Sequence, residues 1–191
     1  RVSLLWQPDD RFSSYFVAAY FHQNDNGTAH ALGAINPTLG YGLLPAYQAS
    51  AARQNARDKF WTAEENFHPA QKVETWSVSN TSTLELGGIT LKNIFGYRKV
   101  NVAGLYDFDA SPEILFESGN GLKADQWTEE FQISGDLSES VNFISGLYWF
   151  LEDGRDTQYS ILYGTRANDG RGKNESYSVY AQFGVKLTDR L

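Results

Sequence analysis

Apolar and polar residues alternate along most of this 191-residue chain. From Tyr177 to Leu187 the odd positions hold Tyr177, Val179, Ala181, Phe183, Val185 and Leu187, and the even ones Ser178, Tyr180, Gln182, Gly184 and Lys186. A period of two with one apolar and one mainly polar face predicts a β-strand between two different environments. Trp127, Phe131 and Ile133 oppose Thr128, Glu130, Gln132 and Ser134 in the same way, with Glu129 out of pattern. Ile89, Leu91, Phe95 and Tyr97 oppose Thr90, Lys92, Gly96 and Arg98, with Asn93 out of pattern. Between Gln71 and Leu86, the face of Trp76, Val78, Leu84 and Leu86 also carries Asn80 and Ser82. Segments 12–23 and 141–152 are apolar at both parities, so their facing stays open, and Val2 to Gln7 reads as a short strand.

Seven strands are thus predicted, with two kinds of connection. Short turns are expected at 8–11, 87–88 and 136–140, and another beginning at Thr188-Asp189-Arg190. Long connections are expected at 24–70, 107–125 and about 153–174, in strict alternation with the short ones. Hairpins in soluble sheets favour loops of 2–5 residues at both ends. Strands of ten or more residues match what a tilted strand needs to cross a bilayer. The expected fold is all-β: a segment of an antiparallel transmembrane β-barrel with about seven long strands, short periplasmic turns and long extracellular loops. Residues 43–59, rich in Ala, Gln and Arg with Pro45 near the start, predict a surface helix in the first long loop.

Composition narrows the chemistry. Aromatics are 15% of residues, and the longest unbroken apolar run is Tyr15 to Phe21, too short for a membrane helix. The net charge of −7 argues against a phosphate-tracking nucleic-acid binder. The absence of Cys excludes thiol chemistry and Cys metal sites within these residues. Opening on Arg1 without a basic stretch leading into an apolar one, the chain is expected to be mature, trimmed or partial.

No catalytic constellation stands out, and neither an enzyme activity nor a cofactor is expected. Glu129 and Glu130 are adjacent on a strand and point to opposite faces, so they cannot flank one substrate. Glu64, Glu65 and His68 carry metal-ligand chemistry, but without a ligand spacing, and read as a solvated loop. Asp107-Phe108-Asp109 and Asp153-Gly154-Arg155-Asp156 read as turn chemistry rather than Ca²⁺ loops. Gly170-Arg171-Gly172-Lys173-Asn174 lacks the first Gly and the hydroxyl residue of a phosphate loop. Loop aromatics are the remaining candidates for ligand contact, by stacking on a sugar or an aromatic siderophore. They are Tyr41, Trp61, Phe108, Phe116 and Tyr159, with Tyr47, Phe60, Phe67 and Tyr163 beside them.

The strand sequences also carry a family resemblance. Leu91-Lys92-Asn93-Ile94-Phe95-Gly96-Tyr97-Arg98 resembles the "LKNITGYR" strand of TonB-dependent outer-membrane receptors. Residues 125–135 are similar to that family's "FSQELQLSG" strand, and 141–150 to "LNWVAGLYYF". Residues 176–183 with 187–191 resemble "SYAVFGQ…DLTDRL", and Ser3-Leu4-Leu5-Trp6-Gln7-Pro8 followed by Asp10-Arg11-Phe12 resembles the turn "LLWQPTDRF". The resemblance is strongest over 71–191, extends to 1–23, and leaves 24–70 without a family motif.

The resemblance implies that residues 1–191 are part of a 22-stranded barrel, without its plug or C-terminal strand. It implies a bacterial outer-membrane location. It also implies TonB-coupled uptake of a siderophore–iron complex, cobalamin, haem or an oligosaccharide, with TonB engaged through a plug. The partners expected are outer-membrane lipid and a small-molecule or oligosaccharide ligand. On the strand parity, Phe95, Tyr97, Trp76, Trp127 and Tyr177 would face lipid. Lys92, Arg98, Glu130, Gln132, Gln182 and Lys186 would face the lumen. The alternative is a soluble all-β binding module, with carbohydrate as a candidate ligand, which predicts short loops at both ends and an apolar face buried between two sheets.

Overall fold

The computed structural model describes residues 1–59, 62–162 and 165–187, with Arg166 described by its backbone alone. It is an all-β fold. Seven strands follow in chain order: β1 (Val2–Trp6), β2 (Phe12–Asp25), β3 (Ala70–Glu85), β4 (Ile89–Asp107), β5 (Phe116–Ser138), β6 (Val141–Leu162) and β7 (Thr165–Val185). Each is antiparallel to its neighbours in sequence, and the sheet order is β1 through β7. The described sheet is open, with β1 and β7 as its edges.

The turns at one end follow from local chemistry. Asp9 Oδ1 accepts the N–H groups of Arg11 (2.8 Å) and Phe12 (2.9 Å), an Asx turn between β1 and β2. Gly87 and Gly88 both adopt positive φ, 65° and 106°, which the reversal from β3 to β4 requires. At the β5–β6 turn the register shifts between Asp136 and Ser138.

Beyond the opposite end, the connections differ from expectation. The stretch expected as a loop over 153–174 is mostly strand: β6 runs to Leu162 and β7 starts at Thr165. Asp153-Gly154-Arg155-Asp156 and Gly170–Asn174 therefore lie in the ladder rather than in turns. Two cross-strand pairs hold this extension: Arg155 with Asp169, and Arg171 Nη2 with Asp153 Oδ2 at 2.7 Å. Polar, Gly-rich composition hid it, because alternation fades where both faces are wet. The 107–125 connection likewise narrows to 108–115, and the strict short-and-long alternation does not hold at β6–β7.

The 26–69 connection is long and folded. A 3-10 turn (Gly40–Leu43) leads into α1 (Pro45–Asn55), shorter than the expected 43–59, with Pro at its start. Among the described residues only Leu32, Ala51 and Ala110 are buried hydrophobics, with Ile35 and Tyr47 packed against them. This small core ties the long loop to the β4–β5 turn. The sheet itself carries no covering layer among the described residues, and large apolar side chains such as Val179 (77% exposed) and Phe131 (55%) stand open.

Register settles the strands whose parity is ambiguous. Ala18 opposes Val78, which opposes Tyr97, which opposes Trp127, which opposes Leu151. The even residues of β2 and the odd residues of β6 therefore share the apolar face. Tyr15, Val17, Ala19 and Phe21 stand on the other, mainly polar face, opposite Thr81, Ser79, Ser77 and Thr75.

Candidate functional site

The two faces of the sheet present different chemistry at the same level. Phe95, Tyr97, Trp76, Trp127 and Tyr177 share the apolar face, and Lys92, Arg98, Glu130, Gln132 and Gln182 share the other. Lys186 lies just past β7, where its N–H donates to the Ser140 carbonyl at 2.8 Å. Glu129 and Glu130 point to opposite faces.

On the polar face, Glu130 collects two donors. Tyr180 Oη bonds its Oε1 at 2.5 Å and Gln132 Nε2 at 2.9 Å. Tyr180 and Glu130 sit on strands separated by β6, and the tyrosine reaches across because Gly146 lies between. A Cβ added at Gly146 would fall 2.5 Å from Tyr180 Oη and 2.8 Å from the Phe131 carbonyl oxygen. Gly146→Val should displace the ring and cost about 1–3 kcal/mol by overpacking. Denaturant unfolding of the variant checks it; an unchanged midpoint would contradict this role for the glycine.

On the apolar face, a row of aromatic residues caps the apolar band, and the polar tips of Trp76, Tyr97, Trp149 and Tyr177 turn the same way. Trp76 Nε1 donates to Glu74 (2.9 Å), and Tyr97 Oη to Asp125 (2.6 Å). Trp149 Nε1 (3.2 Å) and Tyr177 Oη (2.6 Å) both donate to Glu175. In each case the carboxylate lies on the loop side of the ring. Ring contacts tie the row together, with Tyr20–Trp76 centroids 4.3 Å apart and Tyr97–Trp127 4.2 Å. From Leu84 to Trp76 the band covers about 27 Å along β3. Above it comes a charged zone of Lys99, Lys123, Asp125, Asp153, Arg155, Asp169 and Arg171 on the same face.

The loop aromatics divide. Tyr41 Oη donates to the Leu115 carbonyl (2.8 Å) and Tyr47 Oη to that of Asp109 (3.2 Å), so both pin the long loop to the β4–β5 turn. Phe108 stays 44% exposed, flanked by His30 (5.5 Å), Tyr106 (5.6 Å) and Phe116 (5.2 Å). Phe116 opens β5, and Tyr159, expected in a loop, stands on β6 with its ring over Gly119. Tyr41, Phe108 and Phe116 thus gather at the loop end, and Tyr159 does not join them. Trp61, Phe60, Tyr163 and the 188–191 turn lie outside the described residues.

Sequence reasoning missed the polar centre of this loop unit. Asp107, Asp109, Ser111, Gln54 and Ser50 are all buried. Asp109 Oδ2 accepts the N–H groups of Leu115 (3.2 Å) and Phe116 (2.8 Å), and Asp107 Oδ1 accepts that of Ala110 (2.9 Å), which has φ 54°. The expected turn role of Asp107-Phe108-Asp109 takes this form. Glu64 is engaged by Arg53 (2.7 Å) and Ser50 (2.8 Å), and Glu65 accepts the His30 N–H (3.3 Å).

Burial, reinforced by Asp109, pushes the Asp107 carboxyl up to about 6. The folded loop then holds this proton to higher pH than the unfolded chain. Its contribution to stability is most favourable below about 4 and falls as pH rises through about 6, by on the order of 1–3 kcal/mol. Amide protection factors in 26–69 and 108–115 should fall between pH 4 and 7, and Asp107→Asn should flatten that slope. A pH-independent protection profile in the parent protein would refute it.

Comparison with protein-family models, with curated proteins and with solved structures found no match to this chain.

Proposed function

We propose that this chain forms part of the wall of a TonB-dependent outer-membrane receptor, which binds a scarce nutrient at the cell surface and imports it. One observation carries the reading: the uncovered apolar band capped by Trp76, Tyr97, Trp149 and Tyr177, each with its polar tip on a loop-side carboxylate. Amphipathic rings placed so match the interface of a bilayer, where one end is dry and the other wet. The polar face, with Lys92, Arg98, Glu130, Gln132 and Gln182, would line the lumen, where charge meets water or a plug. Further strands against the free edges of β1 and β7 would close the wall, since lipid tolerates no unpaired sheet edge.

In this reading the wall does no bond chemistry. The loop unit around Phe108 contributes to capture, and uptake rests on differential affinity between two states of a plug driven through TonB. The alternative, a soluble binding module, predicts a second layer over the apolar face, and the same experiment separates the two.

The test is gel mobility of the native protein from fractionated cells, boiled and unboiled. An outer-membrane band that runs faster unboiled supports a closed barrel. A soluble band with no heat shift overturns the reading.

A further inference from the structure

Three cations stand in a single row just past the aromatic residues of the apolar face. Lys123, Arg155 and Arg171 are direct cross-strand partners on β5, β6 and β7, on the face of Trp127 and Leu151. Cβ atoms of such partners lie about 5 Å apart, and like charges directly opposite destabilise a sheet. The rows on either side answer two of the three: Arg171 bonds Asp153 at 2.7 Å, and Arg155 bonds Asp169. Both arginine side chains remain exposed, at 75% and 61%. Among the described residues no carboxylate forms an ion pair with Lys123. Asp125, two residues along β5, opposes Lys99 and Asp153 and accepts Tyr97 Oη (2.6 Å). Glu175, at the margin, is taken by Lys173, Trp149 and Tyr177.

Strand pairing therefore imposes a repulsion that an anion laid over the row would relieve. A groove of about 790 Å³ runs along these strands, from Trp127 and Leu151 at one end to Lys123, Arg155 and Arg171 at the other. Its lower end is apolar and its upper end cationic. A lipid at its headgroup has the complementary outline, with acyl chains below and a phosphate above. Trp127 packs on Tyr97 in the aromatic row, with centroids 4.2 Å apart. In the membrane reading that row marks the bilayer interface, so the groups next met on this face are lipid headgroups. Phosphates there attract Lys and Arg and bond them through charged oxygens.

We propose that Lys123, Arg155 and Arg171 hold the phosphate of an anionic lipid of the outer leaflet, whose acyl chains run down over Trp127 and Leu151. The inference rests on the membrane reading of the apolar face, and the experiment separates the two. The intact protein, stripped of bound lipid in a neutral detergent, is offered lipid A, a phosphorylated glycolipid, or zwitterionic phosphatidylcholine. Retained lipid is measured by native mass spectrometry. Competition by inorganic phosphate is compared with sodium chloride at the same ionic strength, and the same samples are run on gels boiled and unboiled.

The expected result is retention of lipid A over phosphatidylcholine, with inorganic phosphate displacing it no better than the chloride does. Lys123→Gln should weaken retention about fivefold, and Lys123→Glu further. Without lipid, the urea midpoint of Lys123→Gln should not fall, because losing one of three opposed like charges relieves the row. A lowered midpoint would make the lysine structural and overturn the proposal. A heat-modifiable protein that retains both lipids alike, yields lipid A to phosphate specifically, or ignores Lys123→Gln also overturns it and leaves the membrane reading standing. Absence of the heat shift in the parent protein overturns both.

Discussion

If the reading proposed above holds, Phe131→Arg should impair insertion of the intact, closed protein into lipid, while Gln132→Arg, one residue away, should leave it nearly intact. Phe131 is 55% exposed in the middle of the apolar band, and Gln132 points to the opposite face, within 2.9 Å of Glu130. At the midplane of an outer-membrane barrel, Arg on the lipid face costs about 2–4 kcal/mol, whereas a lumen Arg meets water. In a soluble protein the ranking changes. An already exposed Phe loses little on replacement, and both substitutions would fall within about 0.5 kcal/mol of the parent. The readout is the heat-modifiable fraction after refolding into vesicles, titrated with urea. Equal behaviour of the two variants would sink the membrane assignment of this face, whatever the ligand.

The second large effect is confined to the loops. Gln54 is 3% exposed, and its side chain makes three hydrogen bonds. Its Oε1 accepts the Leu32 N–H (3.0 Å), and its Nε2 donates to the Ala110 carbonyl (2.6 Å) and to Ser50 Oγ (3.1 Å). Gln54→Leu keeps the approximate volume and strands a buried donor and a buried acceptor of the backbone. Each stranded group costs about 1–3 kcal/mol, so the loop unit should lose about 2–5 kcal/mol. The small core of Leu32, Ala51 and Ala110 has little to offset that. Limited proteolysis should cut the variant within 26–69 far faster than the parent, with the strands left uncut. A variant as resistant as the parent would show that Gln54 does not hold the loop.

These two sites differ in how far the sequence exposed them. The parity of Trp127, Phe131 and Ile133 against Thr128, Glu130 and Gln132 is local, and it placed Phe131 and Gln132 on opposite faces before any partner strand was known. Gln54 carried no such signal. Its partners lie 22 and 56 residues away in sequence, and a glutamine in a helix with a weak apolar stripe reads as solvated surface. Asp107 and Asp109 were legible as turn formers, but not as buried groups, since burial here comes from the long loop folding over the turn.

Alternation by itself determined that the chain is built of seven strands with two unlike faces, and Asp9 and Gly87-Gly88 determined two of the turns, because both signals reside in neighbouring residues. Only the tertiary structure decided the facing of β2 and β6, whose two parities are equally apolar until the register with β3 and β5 breaks the tie. It also decided that 153–174 continues the ladder, since Arg155–Asp169 and Arg171–Asp153 meet only across two strands. And it brought Lys123, Arg155 and Arg171, each an ordinary polar position in its own strand, into one row. A period of two is set by the backbone of a single strand, whereas which residues become neighbours is set by pairing between strands far apart in the chain.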